Sequence, residues 1–332
     1  MKQLRHRDNN AVINKARAWC LLDRWLLSAV VAVLLMLSSG CSSLFFLPMK
    51  PWMQNPTRIG LGYEDVVLIH PRGERVHGWW LPAVGEAQGT VYFLHGNAQN
   101  ISTHIMSVNW LPDAGFNVFL LDYRGYGLSE GKAKLDNALE DIQLGLDWLG
   151  SSSRLQGKPL IVFGQSLGAS MGIAVMADEQ NQAKAQCAVF EAAFSGYRDI
   201  AGVMMKRSWL LWPMRPLVLP LLPNRDMDPI EHVADVSMPK MIMHSKEDGV
   251  IPFSQGEALY DAASGVKIFQ PLLGEHIAAI HDPSVQKRVM EYFYSHCGVT
   301  RPVPLDAGGV QNGVLAVPPA PAPANDSRTL QF

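Results

Sequence analysis

One short segment constrains the fold more than any other in the chain. The apolar run Leu160–Phe163 passes directly into Gly-Gln-Ser-Leu-Gly, with the serine at position 166. We interpret the run as a buried strand that enters a sharp turn and then a helix, with Ser166 at the apex. Such a turn needs small residues two positions away on each side, and Gly164 and Gly168 supply them. The pattern predicts a nucleophilic serine above a sheet edge, with the Leu167 N–H facing any oxyanion formed on a substrate.

Apolar runs of strand length alternate with segments of helix length from Tyr63 onwards. This alternation predicts an α/β fold with a mostly parallel central sheet and helices on both faces. The expected strands are a leading hairpin of Val66–His70 and Val76–Pro82, then Thr90–Leu94, Asn117–Tyr123, Leu160–Gly164, Cys187–Phe190, Lys240–His244 and Val266–Phe269. The expected helices are Ile101–Leu111, Asp136–Gly150, Ser166–Asp178, Ala258–Ala263 and Ser284–His296.

The segment Ala201–Pro223 interrupts this alternation with large apolar side chains and four prolines. The prolines and Arg215 exclude a straight helix that spans a membrane. Three interpretations stay open: a short helical connection packed on the sheet, a lid that lines an apolar acyl pocket, and a contact with a membrane surface. We expect a short apolar cap insertion at about residues 195–230.

The N-terminus has the pattern of an export signal. Basic residues precede the apolar run Trp25–Leu37, and small residues then lead to Cys41. This order resembles the bacterial lipobox, in which the chain is cleaved before a cysteine that receives lipid, although Ser38 stands where leucine is usual. The alternative is an uncleaved anchor over Trp25–Met49, which is just long enough to span a bilayer. Either way we expect a bacterial cell-envelope protein that faces the periplasm or the exterior.

These observations divide the chain into four parts. Residues 1–40 are an export signal or membrane anchor, and residues 41–62 are a tether. Residues 63–297 form the α/β domain with its cap. Residues 298–332 are rich in proline, glycine and alanine, and we predict that this tail is disordered because it cannot bury enough apolar surface to fold.

Composition limits the partners of the chain. Lys and Arg number 28 against 30 Asp and Glu, so nothing in the charge favours nucleic acid. The ten histidines have no metal-binding spacing, and we expect neither a metal nor an organic cofactor. Cys187 and Cys297 are expected to be buried free thiols. A disulfide between them is permitted by the expected compartment but is not indicated by the spacing. The sequence does not define the oligomeric state.

A serine hydroxyl becomes a good nucleophile only when a base accepts its proton, and an imidazole oriented by a carboxylate suits that task. Asp248 is the best candidate for the acid, since it lies in the loop after the strand Lys240–His244 and so emerges at the same sheet edge as the serine. Glu247 is its near rival and Glu191, after the preceding strand, is a distant one.

His276 is the best candidate for the base, because it lies in the loop after the strand Val266–Phe269. His281 is the alternative, and we interpret His244, at a strand end, as structural. The loop after Thr90–Leu94 contains Asn97, whose N–H is the candidate second oxyanion donor.

The catalytic candidates come in the order nucleophile, acid and base, which is the order found in α/β-hydrolases. Three further runs carry the resemblance: His95–Asn100, Asp122–Gly131 and Glu191–Ser195. From Tyr63 to Cys297 the chain resembles an α/β-hydrolase fold serine hydrolase, of the membrane-anchored group related to abhydrolase-domain proteins and serine-aminopeptidase-like lipases. The chain departs from that pattern at Ser245 and at Glu275, where the family commonly has glycine; Glu275 adds a carboxylate beside the candidate base.

The resemblance implies an exported, membrane-tethered serine hydrolase that cleaves carboxylic esters through an acyl-enzyme. Its partners would be a small acyl substrate and the membrane that holds its N-terminal lipid or anchor. Two alternatives stay open: a peptidase or amidase of the same fold, and a scaffold protein without catalysis.

Overall fold

The computed structural model describes residues 45–223 and 225–301. The predicted export signal or anchor at 1–40, the lipidation candidate Cys41 and the tail from residue 302 lie outside the described residues. Within the described ranges, no helix combines the length and the apolar character needed to cross a bilayer.

The central sheet is mostly parallel, as the sequence predicts. The strands among the described residues are β1 (Leu47–Pro48), β2 (Glu64–Ile69), β3 (Arg75–Leu81), β4 (Gly89–Leu94), β5 (Ala98–Gln99), β6 (Phe116–Leu121), β7 (Leu160–Gln165), β8 (Cys187–Glu191), β9 (Lys240–Ser245) and β10 (Lys267–Leu272). Eight of them form one sheet in the order β10-β9-β8-β7-β4-β6-β3-β2, and β1 pairs with β5. Only β3 runs against its neighbours in the large sheet, so the other seven strands end at one edge.

Helices connect the parallel strands. The α-helices among the described residues are α1 (Ile101–His104), α2 (Leu135–Ser151), α3 (Leu167–Met176), α4 (Glu179–Gln182), α5 (Tyr197–Lys206), α6 (Arg215–Val218), α7 (Pro229–His232), α8 (Phe253–Ala262) and α9 (Pro283–His296). The cap between β8 and β9 contains α5, α6, α7 and the 3₁₀ turns Trp212–Met214, Leu219–Leu221 and Arg225–Met227.

The expected helix Ile101–Leu111 is wrong in its length. The α-helix ends after one turn and a 3₁₀ turn, Ile105–Ser107, follows it. Val108 donates its N–H to the Ile105 carbonyl and Leu111 donates to Val108. Spacing of three brings all three apolar side chains to the same side in a 3₁₀ geometry, where they are fully buried. The spacing of these apolar residues fits both a 3₁₀ helix and an α-helix, so the sequence pattern alone does not distinguish the two.

Apolar side chains on the two faces of the sheet form two core clusters. Along β4, Tyr92 and Leu94 belong to one cluster and Val91 and Phe93 to the other, as the alternation of side chains along a strand requires. Helices α2, α3 and α8 pack on the first cluster, and α9 packs on the second. The sheet is therefore covered on both faces, which explains why its central strands are continuously apolar.

Cys187 and Cys297 form a disulfide, so the expectation of two free thiols is wrong. Both side chains are buried, as expected. Cys187 begins β8 and Cys297 directly follows α9, where the Tyr292 hydroxyl donates to the Ala188 carbonyl and holds the helix beside that strand. The two cysteines are 110 residues apart along the chain, while their Cα atoms are 5.1 Å apart. Only the tertiary contact brings them together, and spacing in the sequence does not encode it.

We expect the double replacement Cys187→Ala and Cys297→Ala to lower the free energy of unfolding by about 2–5 kcal/mol, because the bond closes a long loop in the unfolded chain. Urea denaturation without reductant measures this difference. Reductant should shift the wild-type midpoint toward that of the variant and leave the variant unchanged. A wild-type midpoint that does not respond to complete reduction would contradict the prediction.

Candidate active site

Ser166 stands at the turn between β7 and α3 with a backbone that few residues tolerate. Its φ is +55° and its ψ is −119°, and such strain persists only where the surroundings hold it. The Ser166 N–H donates to the Glu191 carbonyl at 2.8 Å, which ties the turn to the end of β8. A Cβ on Gly168 would lie 2.2 Å from the Leu94 carbonyl oxygen, and one on Gly164 would lie 2.6 Å from a backbone carbon of α3. The small residues are therefore required by close backbone packing.

His276 bridges Ser166 and Asp248. Its Nε2 is 3.0 Å from the Ser166 Oγ, and its Nδ1 is 2.7 Å from the Asp248 Oδ2. A carboxylate only accepts hydrogen bonds, so the ring proton lies on Nδ1 and the Nε2 lone pair accepts the serine proton. The structure thus brings together the three side chains that the sequence analysis selected, and their arrangement is that of a nucleophile, a base and an orienting acid.

Asp248 is held in its charged form. Its Oδ1 accepts the N–H groups of Val250 at 2.7 Å and Ile251 at 2.8 Å. Burial raises the pKa of the Asp248 carboxyl, but the hydrogen bond and charge of His276 and the two N–H donors outweigh burial, and the net pKa lies below the ordinary value. A carboxylate that stays ionised can stabilise a cationic imidazole beside it.

His244 lies behind this carboxylate. Its Nε2 is 3.0 Å from the Ile251 carbonyl oxygen, to which it donates, and 3.5 Å from the Asp248 Oδ2. Complete burial lowers the pKa of His244, so the ring is neutral. The structure gives this histidine the structural position expected for it, at the end of β9 and behind the acid loop.

The alternative acid Glu247 and the alternative base His281 take other positions in these loops. Glu247 accepts the Gly274 N–H at 2.7 Å and so braces the acid loop against the base loop. His281 lies at the end of the 3₁₀ turn Ala279–His281, one loop segment beyond His276. Glu275 is exposed to solvent.

The oxyanion loop after β4 lies directly beside the serine. A Cβ on Gly96 would be 3.5 Å from the Ser166 Cβ. The next residue, Asn97, accepts the Leu47 N–H through its side-chain oxygen at 2.9 Å and the Tyr126 hydroxyl through its carbonyl at 2.5 Å. These bonds leave the backbone N–H of Asn97 as the group that can face an oxyanion. Leu167 begins α3, where an N–H has no partner within the helix.

His95 supports this loop from below. Its ring is fully buried and stacks on Tyr123 with 4.1 Å between ring centroids. The Tyr123 hydroxyl donates to the His95 carbonyl at 3.1 Å. Burial lowers the pKa of His95 well below its usual range, which keeps the ring neutral. The segment around Tyr123 therefore supports the oxyanion loop.

The sequence analysis missed how closely the tether residues contact the site. Met49 donates its N–H to the Gln99 carbonyl at 3.0 Å, and Asn100 donates through its side chain to the carbonyls of Met49 at 2.8 Å and Pro51 at 2.9 Å. Strand β1 therefore extends the oxyanion loop as a parallel pair with β5. Two adjacent phenylalanines, Phe45 and Phe46, were the available signal, since apolar residues after an export segment indicate packing on the domain.

A second carboxyl, Glu191, lies below the serine turn in a different state. It is fully buried and accepts the Gln165 side-chain N–H at 2.6 Å. Burial, together with the charge of Asp248, raises the pKa of Glu191 to about 8, although the hydrogen bond from Gln165 opposes the shift. The pKa values of these two neighbouring carboxyl groups are thus shifted in opposite directions. Asp248 is ionised at pH 7, whereas Glu191 is neutral.

Comparison with known proteins shows the family of this chain. A family model described as serine aminopeptidase, S33, matches residues 85–230. The chain is 32% identical over 226 residues to the protein YfhR of Escherichia coli O157:H7, with 66% of this chain and 75% of the relative covered. It is 30% identical over 246 residues to the α/β-hydrolase domain-containing protein WAV2 of Arabidopsis thaliana, with 71% and 79% covered.

Solved structures share the fold. The esterase Pf2001 of Pyrococcus furiosus superposes with a TM-score of 0.62 at 19% identity, covering 76% of this chain and 98% of the esterase. The fold class expected from the sequence, an α/β-hydrolase fold, is confirmed.

The state of Glu191 predicts a pH dependence of stability. The ordinary pKa of a glutamate is 4.5, and the pKa of Glu191 in the folded chain is about 8. At pH values between the two, the folded chain therefore binds a proton that the unfolded chain has lost. The free energy of unfolding therefore falls as pH rises through this window, and the contribution of the neutral carboxyl is complete below it.

We expect Glu191→Gln, which cannot ionise, to lose less stability than the wild type between pH 5 and 8. Urea denaturation at several pH values in that window gives the difference. Glu86→Gln, at an exposed glutamate paired with Lys158, is the matched control and should follow the wild type. Parallel curves for wild type and Glu191→Gln would refute the prediction.

Proposed function

The chain belongs to the α/β-hydrolase superfamily and is a hydrolase, and we propose that it is a serine hydrolase that cleaves carboxylic esters. The observation that carries the proposal is the pair of hydrogen bonds from the His276 ring, one to the Ser166 hydroxyl and one to the Asp248 carboxylate. With this geometry the hydroxyl can transfer its proton at the moment it attacks.

The proposed reaction has two halves. The Ser166 Oγ attacks the ester carbonyl carbon while its proton moves to His276 Nε2, and the N–H groups of Asn97 and Leu167 stabilise the oxyanion. The carbon–oxygen bond to the alcohol then breaks, and the alcohol leaves with the proton from Nε2. Water attacks the acyl-enzyme in the same way, gives its proton to Nε2, and releases the acid as the proton returns to the serine. Asp248 stabilises the imidazolium in both halves.

The partners of most carboxyl groups near the triad favour esters over the N-termini of peptides. An aminopeptidase must bind the α-ammonium group of its substrate, which needs an available carboxylate. Asp248 binds His276, Glu247 accepts from Gly274, and Glu191 is buried with Gln165, whereas Glu275 beside the base is exposed. The apolar composition of the segment Ala201–Pro223 favours an apolar acyl group, and Pf2001, similar in fold, is described as an esterase. Peptidase or amidase action remains the alternative.

We expect a fluorophosphonate probe to label the wild type, since the probe reacts only with an activated serine. Ser166→Ala and His276→Ala should abolish labelling and lower kcat on a short nitrophenyl ester by about 10⁶-fold. Asp248→Asn should lower it by about 10⁴-fold, because the wrong tautomer is then favoured.

Matched controls are available for two of these positions. His281→Ala and Glu247→Gln replace the rival base and the rival acid, and both should keep most of the turnover. A Ser166→Ala protein that labels as well as the wild type would refute the proposed nucleophile. A folded wild type with neither labelling nor turnover would favour a scaffold without catalysis.

We further propose that the protein is exported and held on a bacterial membrane through lipid on Cys41, with the domain in the periplasm or outside the cell. The basic N-terminal residues, the apolar run Trp25–Leu37 and the small residues before Cys41 support this proposal. The disulfide between Cys187 and Cys297 also supports it, because such bonds persist in oxidising compartments.

We expect mass analysis of the mature protein to give a chain that begins at Cys41 and carries acyl groups. Cys41→Ser should block both processing and lipid attachment, so the unprocessed chain accumulates. Ser43→Ala, two positions further on, is the matched control and should be processed normally. A mature wild type that still begins at Met1 would overturn lipidation and identify an uncleaved anchor.

A further inference from the structure

The cap carries a concentrated apolar surface that faces solvent. Trp209 is 87% exposed, more than any other large apolar side chain among the described residues, and Leu210 is 64% exposed. Eight exposed apolar residues lie within 18 positions of the chain, and we call them the cap surface: Met204, Trp209, Leu210, Leu211, Trp212, Met214, Leu217 and Leu221. Contiguous apolar patches of this kind mark sites of interaction, since isolated exposed residues are normal but clusters are costly in water.

The segment that carries the cap surface is positively charged. Residues 204–221 contain Lys206, Arg207 and Arg215 and no aspartate or glutamate, whereas Asp199, Asp226 and Asp228 lie beyond its ends. The whole chain, in contrast, has slightly more acidic than basic residues. Exposed Lys206 and Arg207 lie three and two residues before Trp209. Tryptophan and leucine flanked by basic side chains are typical of segments that lie in the headgroup region of a bilayer with anionic lipids.

The described chain begins at the base of the cap. The Phe45 ring packs edge-on against Tyr197 with 5.3 Å between centroids, and Tyr197 is the first residue of α5, which leads to the cap surface. Four residue steps join Phe45 to Cys41 and can span at most about 14 Å. A lipid on Cys41 would therefore keep the base of the cap next to the membrane.

We propose that the cap surface docks on the bilayer that holds the N-terminus, with Trp209 and its apolar neighbours among the lipid chains and Lys206 and Arg207 at anionic headgroups. The proposal rests on the proposed membrane tether, which supplies the proximity, and does not depend on catalysis. The tether alone would leave the domain free to rotate, whereas a second contact fixes its orientation. The cap, the tether and the serine loops would then all face the lipid, and acyl substrates could enter from the bilayer.

The docking can be measured by the fluorescence of a single side chain. The full-length protein is reconstituted in vesicles of phosphatidylcholine and phosphatidylglycerol, with or without bromine on the acyl chains, which quenches nearby tryptophans. Subtracting the emission of Trp209→Phe from that of the wild type isolates Trp209, because phenylalanine keeps the surface apolar. We expect strong quenching of this difference, and weaker quenching in vesicles of phosphatidylcholine alone.

Two matched variants complete the test. Trp110→Phe isolates a half-buried tryptophan outside the cap, and its emission should be quenched far less. Lys206→Gln with Arg207→Gln should shift the docking equilibrium away from anionic vesicles by about fivefold for each charge removed.

Each result decides between occupants of the surface. Trp209 emission that is quenched no more than that of Trp110 would overturn the proposal. A Trp209 emission that the brominated lipids do not quench, but that shifts to shorter wavelength as the amount of protein per vesicle increases, would indicate that a second copy of the chain covers the surface. Ser166→Ala should show wild-type quenching, so a failure of the catalytic proposal stays separate. A protein that does not float with the vesicles at all refutes the tether instead.

Discussion

The strained backbone of Ser166 is the constraint on which the active-site geometry depends. A positive φ at a serine is unfavourable, and the fold stabilises it by a hydrogen bond to the Glu191 carbonyl and by close backbone contacts at Gly164 and Gly168. These contacts leave no room for side chains at the two glycines. The turn can therefore form only when the neighbouring strands are in place. The local sequence of the turn and the parallel sheet thus depend on each other.

Parallel strands explain why residues far apart in sequence meet at this turn. Ser166, Asp248 and His276 each lie in a loop after a strand that ends at the same sheet edge. This rule was available from the sequence, because apolar runs locate strands and the loops follow them. The same rule could not choose between Asp248 and Glu247, which are adjacent. The choice depends on the two backbone donors, Val250 and Ile251, that turn one carboxylate toward the histidine.

What the sequence did not reveal are contacts between elements that are distant along the chain. The disulfide needs the end of α9 beside the start of β8, and no local pattern encodes that distance. The role of the tether was hidden for a similar reason, since Leu47 and Met49 contact the oxyanion loop about 50 residues later. Local patterns predicted the strands and the serine turn well, because burial on both faces and a sharp turn each leave a signature in adjacent residues.

Two buried carboxyl groups that lie close to one another differ in charge: one is ionised and the other is neutral. The difference follows from the partners that the fold gives to each. Glu191 ends β8, and Asp248 lies in the loop after the adjacent parallel strand β9. Asp248 gains charge-stabilising partners, the His276 ring and two N–H groups, which offset its burial. Glu191 has one amide donor and no other described partner for its second oxygen, so burial dominates. Were both ionised, their repulsion would raise the pKa of Asp248 and disfavour the charged form that orients the histidine. A neutral Glu191 removes this repulsion.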